Sequence, residues 1–158
     1  MGLLLHADLL KEHLETVTAL DGVAFHVDRK FDIREVAAAE LAKKTKGAFC
    51  AISLGGWAPV DDDQADPAQY WATLRYEISF VTMPHILETL ALPTFDVLLE
   101  SLVVAINGWV PDGIDPSYCA EMKWRVGSGS YVPDDDYVVY LFPATFGEDF
   151  ANPVEVAE

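Results

Sequence analysis

The stretch Trp71-Ala72-Thr73-Leu74-Arg75-Tyr76-Glu77-Ile78-Ser79-Phe80-Val81-Thr82-Met83 decides how the chain is read. Leu74, Tyr76, Ile78 and Phe80 alternate with Thr73, Arg75, Glu77 and Ser79, the period that sends successive side chains to opposite faces of a sheet. A long, half-exposed strand is predicted over 71–83. Upstream, Ala48 to Leu54 is apolar apart from Ser53, which suits a strand covered on both faces. Gly55-Gly56-Trp57 reads as its end, and a polar loop from Asp61 to Gln69 joins the two strands.

Working outward, Leu3, Ala7, Leu10, Leu14 and Val17 recur at steps of four and three and make one apolar stripe, so a helix is predicted from Leu3 to Leu20, ended by Asp21-Gly22. Val23 to Val27 is a short strand. Asp32, with Glu35 three positions later, opens an Ala-rich helix that ends in Lys43, Lys44 and Lys46 and stops at Gly47. Beyond Pro84, the spacing of Phe95, Leu98, Leu99, Leu102, Val103 and Ile106 predicts a helix that terminates at Asn107-Gly108. Ala120, Met122, Trp124 and Val126 alternate with charged residues in a further strand, and Tyr137 to Phe142 makes another. This order predicts an α+β fold, a mostly antiparallel sheet with helices packed on one face, in a single domain over 1–149. Residues 150–158 read as a C-terminal tail, a flexible end or a partner-binding arm.

The 158 residues include 10 Lys or Arg and 26 Asp or Glu, a net charge of 10 − 26 = −16, with 51% of the chain hydrophobic. That much apolar surface excludes intrinsic disorder despite the charge. The negative excess argues against binding to phosphate backbones or anionic lipid. Residues 1–46 hold seven cations and eight acids, whereas 47–158 hold three against eighteen, so one side of the folded unit is strongly acidic. The longest uncharged run, Gly47 to Val60, has 14 residues and contains Gly55, Gly56 and Pro59, too short and too broken to span a bilayer. No membrane partner is expected, and the chain reads as intracellular. Cys50 and Cys119, far apart in apolar or alternating segments, read as buried free thiols.

Clusters of reactive residues are scarce. Gly127-Ser128-Gly129-Ser130 lacks the phosphate-loop lysine and the nucleophile-elbow spacing, and reads as a hairpin loop. His6 and His13 share a helix face without the closer spacing or the carboxylate company of a metal site, and His26 and His85 stand alone. Asp61, Asp62, Asp63 and Asp66, and separately Asp134, Asp135 and Asp136, lack calcium-loop spacing and read as solvated turns that share a surface repulsive to DNA. No catalytic, metal or cofactor residue is assigned. Trp57 and Trp109, each in a Gly-Trp-X-Pro context, are candidate partner anchors, together with Arg75 and Glu77 on the polar face of the long strand.

The order and pattern of these elements resemble the tail-terminator or tail-completion proteins of long-tailed bacteriophages, including the Mu-type minor tail proteins. The likeness rests on the helix Leu3 to Leu20, the Ala-rich helix running into Lys46-Gly47-Ala48-Phe49, and the strand Cys50-Ala51-Ile52-Ser53-Leu54. It extends to the alternating strand Leu74 to Met83 and the late Tyr137-Val138-Val139-Tyr140. Ala105-Ile106-Asn107-Gly108-Trp109-Val110-Pro111 is its most specific piece. The resemblance implies a structural virion protein of the tail or neck, assembled in the host cytoplasm. It implies a ring, typically of six copies, that sits on the last tail-tube ring, stops its growth and presents the surface that joins the head. Its partners would be further copies of itself, the tail-tube protein and a head-completion or connector protein, with genomic DNA passing through without specific binding. Acidic loops turned inward would favour that passage. Alternatives are a head-side connector or stopper of the neck, an acidic DNA-mimic inhibitor, and a small-molecule enzyme whose residues only the fold brings together.

Overall fold

The computed structural model describes residues 4–28, 47–59, 69–111, 123–132 and 137–151. Its axis is β3, Gln69–Thr82, flanked antiparallel by β2, Ala48–Pro59, and by β6, Val138–Ala151. β1, Val23–Asp28, adds to β2 in parallel, and β4, Arg125–Val126, and β5, Ser130–Val132, both pair antiparallel with β6. Among the described residues the sheet has six strands, mostly antiparallel, in the order β1-β2-β3-β6-β4, with β5 also on β6. A parallel neighbour needs a crossover of a dozen or more residues. The chain between β1 and β2, where the Ala-rich helix is predicted, lies outside the described residues.

The alternation that singled out β3 is the alternation that builds the core. Leu74, Tyr76, Ile78 and Phe80 are buried, and they meet Phe142, Ala144 and Phe146 of β6 and Cys50 and Ile52 of β2. Two helices cover this face: α1, Leu5–Glu15, through Ala7, Leu10 and Leu14, and a later helix, Phe95–Ile106, through Leu98, Leu102 and Ile106. Between them in the chain lies a short α2, Pro84–Thr89, so the later helix is α3. Trp124 is fully buried, tilted against Tyr76 and Phe146 at centroid distances of 5.1 and 5.5 Å. On the opposite face a smaller cluster of Phe49, Ala51 and Val81 is buried as well, so β2 is covered on both sides over its first half, as its unbroken apolar run predicts.

Several boundaries differ from the sequence reading, each for a local reason. The first helix ends at Glu15 rather than Leu20, because the Thr16 hydroxyl donates to the His13 carbonyl at 2.6 Å and Val17 turns extended before a 3-10 turn over Thr18–Leu20. No helix is predicted between Pro84 and Phe95, and α2 forms there with Pro84 at its start. The proline occupies the first turn of the helix, where its missing N–H costs nothing. Gly55-Gly56 does not end β2. The register slips between Leu54 and Gly56, and Gly56 takes a φ of +140° that a residue with a Cβ rarely adopts, so the pair forms a bulge and the strand runs on to Pro59.

β6 continues beyond Phe142 to Ala151, so the sheet takes in Phe150 and Ala151, two residues of the segment read as a tail. Residues 152–158 lie outside the described residues. Gly127-Ser128-Gly129-Ser130 is not a hairpin loop: Gly127 to Gly129 interrupt the edge between β4 and β5, which begins at Ser130, and the two strands lie along the same edge of β6 one register step apart. The interruption stands beside Pro143, which has no N–H to give to a ladder, and the Gly127 N–H donates to the Pro143 carbonyl at 2.8 Å. A Cβ on Gly129 would collide with the Tyr140 ring and lie 2.7 Å from the Leu141 carbonyl oxygen, so the strand passes β6 too closely for any other residue. Of the strand expected around Trp124, only Arg125–Val126 is strand among the described residues. No helix among them is long and apolar enough to cross a membrane.

Candidate functional site

The segment that carries the resemblance most specifically, Ala105 to Pro111, is held by backbone contacts that position Trp109. α3 ends at Ile106. The Gly108 N–H then donates to the Trp124 carbonyl at 2.7 Å, the Trp124 N–H returns to the Trp109 carbonyl at 3.0 Å, and the Val126 N–H reaches Asn107 Oδ1 at 3.1 Å. Trp124, sealed in the core, therefore fixes the turn on which Trp109 sits. The Trp109 ring lies on His13 of α1, centroids 4.1 Å apart and planes 6° from parallel. His13 is oriented in turn by Nε2, which stands 3.1 Å from the Ala105 carbonyl. A carbonyl only accepts, so Nε2 carries the hydrogen.

Beside this stack, α1, the 3-10 turn and α3 border an open groove of about 520 Å³, lined by Val17, Ala19, Val104, Ala105, Ser101 and Trp109 among others. α3 also exposes two valines on its outer side, Val104 at 72% and Val97, two turns earlier, at 48%, with the exposed Glu100 between them. Burying those methyl groups against another protein is favourable at roughly 25 cal/mol per Å², and exposed apolar surface next to a groove marks an interaction face.

Asp96 stands in the first turn of α3. The Thr94 hydroxyl donates to the Asp96 carboxylate, which also accepts from the backbone N–H groups of Asp96 and Val97. The hydroxyl first, and the backbone groups after it, hold the Asp96 carboxyl below the usual carboxylate range. Cys50 is wholly buried in β2, and burial pushes its thiol far above the ordinary thiol range.

Of the residues proposed from sequence as partner anchors, Trp109 is half-buried at the groove. Arg75 and Glu77 lie together on the outer face of β3 and form a surface ion pair, Nε to Oε1 at 3.0 Å. Trp57 belongs to β2, in register with Leu74 of β3. Asp61, Asp62, Asp63 and Asp66 fall in the β2–β3 connection, and Asp134, Asp135 and Asp136 in the β5–β6 connection, both outside the described residues. The stack of His13 on Trp109 is invisible locally in the sequence because the partners lie on different elements. Among the described residues no group of three or more His, Cys, Asp or Glu could hold a metal ion. The sequence matches no protein-family model and no curated protein.

Proposed function

We propose that this chain is a structural virion protein, a tail terminator that forms a ring, stops growth of the tail tube and offers the head-joining surface. The observation that carries the reading is the Trp109 groove with the exposed Val97 and Val104 of α3 beside it. Ala105, Asn107, Gly108 and Trp109 of the groove belong to the segment most specific to the resemblance, on a chain whose net charge of −16 keeps it apart from chance partners. A ring of identical copies joins one patch of a subunit to a different patch of the next, so it needs no self-complementary surface. Acidic loops turned inward would surround the passage with carboxylates that repel phosphates and keep DNA sliding.

The test is to add the purified protein to polymerising tail-tube protein and measure tube lengths by electron microscopy. The reading predicts shorter tubes, each carrying a ring at one end. Unchanged lengths with no end-bound protein would contradict it, and binding to head portals in place of tubes would move the assignment to a neck connector. Charge reversal at Asp61 to Asp63 or at Asp134 to Asp136 is expected to lower infectivity while leaving ring formation intact.

A further inference from the structure

The three long strands outrun their flanks. β1 covers β2 only from Ala48 to Ser53, and β4 and β5 cover β6 only between Val139 and Thr145. Past those rows β2, β3 and β6 continue as a three-stranded extension, with Trp57 opposite Leu74 and Leu74 opposite Phe146, and then on to Pro59 opposite Ala72 and Gln69 opposite Ala151. Among the described residues, Leu54–Pro59 of β2 and Phe146–Ala151 of β6 have no ladder partner on their outer sides. Each edge is about 20 Å long at ~3.4 Å per residue, a row of backbone donors and acceptors ready to pair. The bulge at Gly55-Gly56 stands where β1 stops, so the extension begins at a point of added bend and twist.

We propose that these two edges pair with each other between neighbouring copies of this chain, β2 of one beside β6 of the next, in parallel. The inference rests on the ring reading and names the contact that closes it. β2 and β6 are both antiparallel to β3, so they run the same way, and a rotation about an axis along the strands sets one beside the other without reversal. Charge selects the same pairing. Leu54-Gly55-Gly56-Trp57-Ala58-Pro59 carries no charged residue, whereas Phe146-Gly147-Glu148-Asp149-Phe150-Ala151 carries two adjacent acids. An isologous β6–β6 contact would set those acids against their own copies, which like-charge pairing across strands disfavours. The β2 edge also lacks the lysines that blunt edges left to solvent, and its one proline is the last residue of the strand.

Cysteine pairs test this in the assembled protein, in a Cys119→Ser background. Ala58→Cys is combined in turn with Gly147→Cys, Glu148→Cys and Asp149→Cys, because the register between copies is not fixed in advance. Within one chain β2 and β6 are two strand spacings apart, about 9.5 Å, beyond the reach of a disulfide. On oxidation, at least one double variant is expected to give a covalent ladder that climbs to the copy number of the ring, and the single variants no ladder. Intact rings by electron microscopy with no ladder from any double variant would overturn the edge pairing and leave the ring reading standing. Dimers from Asp149→Cys alone would overturn it in favour of an isologous β6 contact. A chain that stays monomeric with and without tail tubes would overturn the ring reading and the pairing with it.

Discussion

The indole of Trp109 is stacked on the imidazole of His13, 4.1 Å between centroids, and this contact ties the C-terminal end of α3 to α1 at the rim of the groove. Because Trp109 is half-buried, Trp109→Ala is expected to cost about 2 kcal/mol, below the range for a fully buried indole. His13→Ala removes the same stack and a hydrogen bond to Ala105, and is expected to cost about 1 kcal/mol. Urea unfolding followed by circular dichroism measures both. A double variant no worse than Trp109→Ala alone would show that the two rings act through each other.

Thr82 points the other way. It is fully buried at the end of β3, and among the described residues its hydroxyl has no hydrogen-bond partner. Thr82→Val keeps the shape and removes a desolvated polar group, so it is expected to raise stability by about 1 kcal/mol. A lower urea midpoint would contradict this.

Cys50 is expected to resist labelling by a soluble disulfide reagent in the folded protein and to react once the chain is unfolded, measured in the Cys119→Ser background. Its folded thiol pKa is raised by burial above the ordinary value of 9.0, so the folded state holds the proton that the unfolded state gives up. This contribution is complete below pH 9 and is lost as pH rises beyond it.

Asp96 has the opposite sign. Its folded carboxyl is held below the ordinary 3.8 by the Thr94 hydroxyl and the first N–H groups of α3, so it stabilises the fold above that value and the effect disappears as pH falls through the folded pKa. Asp96→Asn is therefore expected to lower the urea midpoint at pH 7 and to converge with the parent at the acid end. A constant difference across pH would contradict the assignment.

Val104→Lys places a charge on an exposed position of α3 and is expected to leave the circular dichroism spectrum and the urea midpoint unchanged. On the ring reading it abolishes end-capping of tail tubes, seen as tubes of uncontrolled length.

The core of the fold is legible in the sequence because burial follows period. The alternation at Leu74 to Phe80 and the stripe Ala7, Leu10, Leu14 name buried residues directly, and the helix over Phe95–Ile106 begins and ends where its spacing and Asn107-Gly108 place it. What escaped depends on partners distant in sequence. Gly55-Gly56 stops a strand as readily as it bulges one, and only the ladder with β3 decides between them. Pro143 similarly sits inside β6 because the edge beside it is broken at Gly127 to Gly129. Of the candidate site, Trp109 was visible as a Gly-Trp-X-Pro turn, but its platform on His13 and its clamp by Trp124 come from separate elements.

The most direct test of the central claim is electron microscopy of isolated tail tubes incubated with the tagged protein, with class averages of the tube ends. The account predicts a closed ring of identical subunits on one end only, coaxial with the tube and open at its centre. Protein scattered along tube walls, or tube ends that stay bare while the protein remains a single globule in solution, would contradict it.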